Sequence, residues 1–239
     1  MRYVWATGTH QGRIRDRNED SIFPETSGSG NGPILVAVAD GMGGHVAGNV
    51  ASALALSAAT VEDADVEISV AARVEAANRA ILQRVREERD LAGMGTTMTL
   101  GRFLPDATME LGHVGDSRCY LLRDGELRQL SKDHTVVAEL VALGHIKPED
   151  AETHPQRHLV TRTLGLGPVD VDTQVVDLEP GDRVIFCSDG LTSMVSDNEI
   201  LHIADTDDDA EATVWHLIEA ANSAGGIDNV TVAVVDTRQ

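Results

Sequence analysis

The sequence predicts an α+β fold in which antiparallel sheet is covered by helices. Apolar runs of buried-strand length, such as Ile34 through Ala39, alternate with helix-length blocks whose apolar residues recur every three or four positions. Short strand-like segments are joined at hairpin spacing across Pro105-Asp106 and across Asp124-Gly125. Hairpins demand antiparallel pairing, and a helix with one apolar face needs another layer to bury it.

The elements follow in order. Strands are expected at 21–23 and 34–39, then an Ala-rich helix over 49–61. Over 66–89, Val70, Val74, Ala77, Ile81 and Val85 share one face while Arg and Glu fill the other, the pattern of an amphipathic helix. A meander follows, with strands at 96–103, 108–115, 118–123 and 126–130. Residues 136–143 read as helix, whereas 145–158 are polar and carry Pro148 and Pro155, which predicts an irregular insertion. Strands resume at Val171 and again at 183–188. Ser196 can cap a short helix, a longer helix runs over about 209–224, and a last strand covers 229–235.

Composition narrows the function. The 239 residues carry 39 Asp or Glu against 19 Lys or Arg, a formal net charge of -20. Phosphate-backbone binding draws on clustered Lys and Arg, so a nucleic-acid partner is excluded, and the same deficit argues against adhesion to anionic lipid. Apolar residues reach 42% although Phe, Trp and Tyr make up only 3%, so the core is built of Ala, Val, Leu and Ile. The apolar runs fall short of the roughly 20 residues that cross a bilayer, and no basic-then-apolar leader opens the chain. The expectation is a cytoplasmic chain without membrane association. Cys119 and Cys187 lie in strand-like runs without metal-type spacing and read as buried thiols.

Three strands finish alike, in Val38-Ala39-Asp40-Gly41, His113-Val114-Gly115-Asp116-Ser117 and Phe186-Cys187-Ser188-Asp189-Gly190, and Asp228 stands just before the strand that begins at Val230. Asp-Gly is also a common turn, and Asp124-Gly125 is one. The other two Asp-Gly pairs close no two-residue hairpin, because each runs on toward a helix. Carboxylates at the ends of apolar strands gather on one rim of the sheet layer. There they repel and raise each other's pKa, a conflict that a divalent cation removes. Upstream, Arg15-Asp16-Arg17-Asn18-Glu19-Asp20 adds carboxylates able to hold metal-bound waters and an arginine able to grip a phosphate. Oxygen ligands without a Cys-His set favour Mg²⁺ or Mn²⁺. Two such ions roughly 3.5–4 Å apart clamp the oxygens of an in-line displacement. Phosphate-ester hydrolysis is the chemistry implied.

Arg15-x-x-Asn18-Glu19-Asp20, Asp40-Gly41-Met42-Gly43-Gly44, Gly95-Thr96-Thr97, Gly115-Asp116-Ser117-Arg118, Asp133-His134-Thr135, Ser188-Asp189-Gly190-Leu191 and Asp228-Asn229-x-Thr231 stand in an order and spacing that resemble the metal-dependent protein phosphatases of type 2C, the PPM family, in their compact bacterial form. The resemblance runs from about Thr7 to Val235. It implies a four-layer α-β-β-α sandwich, two antiparallel sheets flanked by helices, as one catalytic domain over 1–239 with a flap at about 136–164. It also implies a Ser/Thr protein phosphatase that opposes bacterial Ser/Thr kinases, acting as a monomer. By position, Asp40 would bridge two ions; the Gly41 carbonyl with Glu19 and Asp20 through water would complete one, and Asp189 with Asp228 the other. Asp116 with Asp189 would hold a third ion, and Arg15 would take the substrate phosphate. Met42 stands where eukaryotic relatives place a histidine that protonates the leaving group, which leaves a metal-bound water or His45 as the general acid. His134 reads as structural, orienting a loop.

Two other readings compete. A pseudophosphatase would keep the fold to bind a phosphoprotein, but every metal position is retained. A dinucleotide enzyme would use Gly41-Met42-Gly43-Gly44 between strand and helix, but Val46 occupies the third glycine position and Asp40 would face a pyrophosphate.

Overall fold

The computed structural model describes residues 1–43, 47–62, 67–151, 153–207 and 209–239. Among them, two antiparallel sheets stack face to face with helices on both outer sides, the architecture that the resemblance implied. One sheet has the strand order β3 (Gly28–Gly30), β1 (Arg2–His10), β12 (Val230–Arg238), β11 (Arg183–Cys187), β8 (Arg118–Arg123), β9 (Glu126–Gln129). The other runs β10 (Asp172–Asp177), β7 (Thr108–Val114), β6 (Met98–Phe103), β4 (Ile34–Met42), β2 (Asp20–Phe23), and β5 (Gly95–Thr96) pairs with the end of β4. Helices α1 (Ala47–Ala59) and α2 (Val70–Glu87) cover the second sheet. Between β9 and β10 lie α3 (Val136–Ala142) and a single turn, α4 (Pro148–Ala151); α5 (Asp189–Thr192), α6 (Asp197–Thr206) and α7 (Ala210–Ser223) cover the first sheet.

The four layers explain why the strands read as unbroken apolar runs. In β4, Ala37 and Ala39 face the helices while Val36 and Val38 face the other sheet. In β11, Ile185 and Cys187 face α5–α7 while Val184 and Phe186 face inward. Side chains alternate along a strand, so a strand buried on both faces must be apolar at every position. Cys119 and Cys187 belong to opposite faces, and both thiols are free and buried. The few aromatic rings concentrate between the sheets: Tyr3 meets Phe103 edge-on at 5.3 Å and Phe103 meets Phe186 at 6.2 Å. A Cβ on Gly101 would stand 2.5 Å from Phe186 Cζ, so glycine is needed there to admit the ring.

The structure also departs from the sequence expectations. The longest departure is β1, nine residues between β3 and β12, where the sequence predicts no strand. Its pattern is broken by Thr7 and Gly8, and Gly8 is small because Val214 of α7 would lie 2.6 Å from a Cβ there. β3 is likewise unmarked by apolar residues, since the Trp5 indole lies over Gly28. Ser69 caps α2 by accepting from the Ala72 N–H, which starts that helix later than residue 66. The insertion at 145–158 contains the turn α4, because Pro148 fits the first position of a helix. β12 continues to Arg238, three residues past its expected end, because β1 pairs with it throughout. The Asp124-Gly125 turn is as read, with φ of 52° and 75°, both left-handed.

Phe103→Ala should cost about 3–5 kcal/mol, since it deletes the ring wedged between Tyr3 and Phe186. Urea unfolding would show this as a lower midpoint at unchanged slope.

Candidate functional site

The carboxylates gather because strands from both sheets end at one rim. β2 and β4 pair with Asp20 directly opposite Asp40. β7 ends at Val114 and turns through Gly115-Asp116-Ser117 into β8, β11 ends at Cys187 with Asp189 opening α5, and Asp228 lies two residues before β12. Burial and repulsion raise Asp20, Asp40, Asp116 and Asp189. Asp20 and Asp116 are each pushed up to about 7, first by burial and then by Asp189, with Asp228 adding at Asp20 and Asp133 at Asp116. Asp40 is raised well above the carboxylate range by burial, Asp20 and Asp189. Asp189 is raised by burial and Asp228, offset by a hydrogen bond with Asp40.

Each carboxylate is held by a backbone arrangement that the neighbouring motifs supply. Asp40 donates its N–H to Thr97 Oγ1 at 3.0 Å, and its carbonyl accepts from Thr97 N–H at 2.9 Å and Thr96 Oγ1 at 2.8 Å. Thr97 Oγ1 and Ser117 Oγ share a hydrogen bond of 2.7 Å, tying the Asp40 strand to the Asp116 turn. Ser188 donates to Asp20 Oδ2 at 2.7 Å and accepts from Thr231 N–H at 3.0 Å. Gly41 lies where a Cβ would strike the Gly48 and Glu19 carbonyls, and Gly48 leaves room for the Glu19 carboxylate. Glycine at both positions lets the start of α1 close over the end of β4.

Asn229 was visible in the sequence as part of a motif but had no assigned task. Its Oδ1 accepts from the Glu19 N–H at 2.8 Å, and its Nδ2 donates to the carbonyls of Gln11 and Arg17, both at 2.8 Å. One side-chain amide therefore fixes the whole loop that carries Arg15 and Glu19 against the strand that follows Asp228. Arg15 Nη2 reaches Asp228 Oδ2 at 2.5 Å with its side chain half exposed. His134 does the orienting expected of it: its Nδ1 accepts from Gly115 N–H at 3.1 Å, and its Nε2 lies 3.2 Å from Asp172 Oδ2. Burial holds His134 below the usual histidine range, and pushes the stacked His113 down to about 4. His45 lies outside the described residues.

Beside Asp116 and Asp189 opens a cleft of about 590 Å³, walled by Ala138, Arg157 and His158 on one side and Met194 and Ser196 on the other. Thr135 bridges to Val160 within the first wall, and Thr96 of β5 both bridges to Leu164 and donates to the Asp40 carbonyl, so this segment is fastened to the end of β4.

The donors fit hard divalent cations: they are all oxygens, they are crowded, and Asp20 Oδ1 is buried with no hydrogen-bond partner. Among the described residues no three His, Cys, Asp or Glu side chains form a preassembled ion cage. The carboxyls instead lean on one another and on Arg15, as Asp40 with Asp189 and Asp228 with Arg15 show.

Comparison with known proteins agrees with this geometry. The family model for protein phosphatase 2C matches residues 7–223, and the chain belongs to that family. It is 45% identical over 237 residues to the serine/threonine protein phosphatase PstP of Mycobacterium tuberculosis, covering 97% of this chain and 44% of that protein. The chain thus spans less than half the length of that relative. It is 39% identical to the serine/threonine phosphatase stp of Listeria monocytogenes, covering 95% of this chain and 93% of that one. Among solved structures, that of M. tuberculosis PstP/Ppp superposes with a TM-score of 0.91 at 41% identity, with both chains covered completely. The PstP catalytic domain in complex with two manganese ions superposes with a TM-score of 0.88 at 40% identity, again over all of both chains.

The raised carboxyls set the direction of a pH effect. Where the folded value is raised from 3.8 to about 7, as at Asp20 and Asp116, the native state holds protons that the unfolded chain has released. Stability therefore falls as pH rises from about 4 to 7. Protein stripped with EDTA should melt at a higher temperature at pH 5 than at pH 8, and Mn²⁺ should restore stability at pH 8. Asp20→Asn should flatten the pH dependence of the stripped protein. A second measurement concerns the clamp: Asn229→Ala should cost about 3 kcal/mol in urea unfolding, since it strands a part-buried N–H and two carbonyls.

Proposed function

We propose that this chain is a protein phosphatase that hydrolyses phosphoserine and phosphothreonine with two Mn²⁺ or Mg²⁺ ions, and a third at a flanking position. The observation that carries this reading is the rim formed by buried Asp20 and Asp116 and half-buried Asp40 and Asp189, whose carboxyls cannot all ionise together. Asp40, the Gly41 carbonyl, Asp189 and Asp228 would hold the two ions, with Glu19 and Asp20 reaching them through water and Asp116 with Asp189 holding the third. When bound, the ions supply Lewis acidity at the phosphoryl oxygens and lower the pKa of an attacking water.

The chain's own residues do the rest. Arg15 is half exposed beside Asp228 and presents a guanidinium that can turn from that carboxylate to grip two phosphate oxygens. Asn229 and the Thr96-Thr97 pair keep the ligand carboxylates in place, so little reorganises when substrate arrives. The segment 136–164 serves as a flap whose wall bounds the cleft next to Asp116 and Asp189. No protein acid is required at the leaving oxygen beyond a bound water or His45. The substrates on this reading are phosphorylated proteins of the cytoplasm, made by Ser/Thr kinases, and the enzyme works as a monomer. Among the described residues no helix is long and apolar enough to cross a membrane.

Asp40→Asn and Asp189→Asn should each abolish Mn²⁺-dependent hydrolysis of p-nitrophenyl phosphate while circular dichroism stays native. Full activity of either variant in Mn²⁺-replete buffer would refute the assignment. Arg15→Ala should raise KM for phosphothreonine peptides by about tenfold or more with a smaller effect on kcat. Phosphothreonine peptides should be cleaved in preference to phosphotyrosine ones.

A further inference from the structure

His134 holds the turn that carries Asp116, but the groups that hold His134 take no part in the reaction as described. Residue 134 meets both polar groups of one peptide: its N–H donates to the Gly115 carbonyl at 2.8 Å, and its ring Nδ1 accepts the Gly115 N–H at 3.1 Å. Gly115 has a left-handed φ of 115° and leads directly into Asp116, which lines the cleft. A shift of this peptide re-aims the carboxylate.

Ring chemistry then fixes what His134 itself requires. Burial keeps the imidazole neutral, and a ring nitrogen that accepts from an N–H carries no proton, so the proton must sit on Nε2. Nε2 lies 3.2 Å from Asp172 Oδ2, an oxygen that can only accept. Arg162 Nη1 donates to the other oxygen, Oδ1, at 3.0 Å and stays farther from Nε2, at 3.4 Å. Arg162 belongs to the flap segment, whose Thr161 N–H donates to the His134 carbonyl at 2.7 Å. Asp172 opens β10 directly opposite His113, the ring stacked on His134 at 4.9 Å. His113 steadies the far side of the same turn, since Thr99 Oγ1 is 2.9 Å from its Nδ1 and 3.0 Å from the Ser117 carbonyl.

We propose that Asp172 is a positioning residue for Asp116: by accepting from His134 Nε2 it selects the tautomer whose Nδ1 can hold the Gly115 peptide, and Arg162 of the flap fixes that carboxylate in turn. This inference rests on the phosphatase reading, in which Asp116 with Asp189 would hold the third ion, and it names the groups that set the affinity of that site. The charge at 172 matters here, not the bulk. The amide of Asp172→Asn has the same shape but can donate to Nε2, which moves the ring proton to Nδ1 and sets two N–H groups against each other at Gly115.

The test titrates Mn²⁺ alone into EDTA-stripped protein by calorimetry, and reads the His134 ring by ¹⁵N NMR of histidine-labelled protein, its signals identified by their loss in His134→Asn. Wild type should bind three ions and show Nδ1 unprotonated; Asp172→Asn should move the proton to Nδ1 and weaken the weakest site alone by about tenfold. An asparagine at 134 puts Oδ1 where Nδ1 stood and has no tautomer to choose. His134→Asn should therefore bind Mn²⁺ nearly as wild type does, and adding Asp172→Asn to it should change nothing further. A weakest site that Asp172→Asn leaves unchanged, or an equal loss in both His134 backgrounds, overturns the proposal. So does a proton on Nδ1 in the wild type, a check that needs no variant to fold. Binding of only two ions by wild type overturns it with the phosphatase reading intact, whereas no Mn²⁺ binding at all overturns that reading itself.

Discussion

Like charges that share a desolvated site dominate this molecule. At the rim, Asp20 and Asp116 are buried, Asp40 and Asp189 are half-buried, and the four are close enough to raise one another's pKa. Such a cluster relaxes in isolation by moving apart or by neutralising. Here the surrounding hydrogen bonds lock the backbone against moving apart, so the cluster neutralises by holding protons. Thr96 and Thr97 hold Asp40, Ser188 holds Asp20, and Asn229 holds the loop on which Glu19 and Arg15 ride. A cation that enters the rim takes the place of those protons on a scaffold already in position.

The same constraint explains how the few cations are deployed. With 39 acidic side chains and 19 basic ones, most arginines that the fold buries are committed to structure. Arg183 pairs with Asp236 and also donates to the carbonyls of Ala204 and Asp207 and to Thr213 Oγ1, welding α6 and α7 to the sheet. Arg73 donates to the carbonyls of Ala59 and Val61, closing the end of α1. Arg118 is bound by the Asp133 carboxylate beside the cleft. Arg15, by contrast, projects outward at the rim with one carboxylate partner that is itself a candidate ion ligand. Net charge describes solubility here, and the placement of each cation describes chemistry.

Much of this was legible in the sequence because the relevant residues break a local rule. An aspartate at the end of a run as apolar as Ile185-Phe186-Cys187 is costly unless something demands it, and three such ends with Asp228 made the rim visible. The two-sided burial of β4 and β11 also showed, as runs without polar alternation. β1 was illegible for the opposite reason: Gly8 is needed to let α7 approach, a tertiary demand with no local signature. Asn229 was legible as a letter and not as a role, since its three partners come from residues 11, 17 and 19.

The pairing of β1 with β12 has a consequence in time. Thr9 opposes Thr231, and Asp20 depends on Ser188 and on the strand that follows Asp228. Contacts this far apart along a chain form late and slowly, since loop closure must come before their reward. A ribosome-bound chain lacking β12 therefore has its carboxylates without the strand that fixes Ser188 and, through it, Asp20. Maturation of the rim is therefore coupled to completion of the sheet.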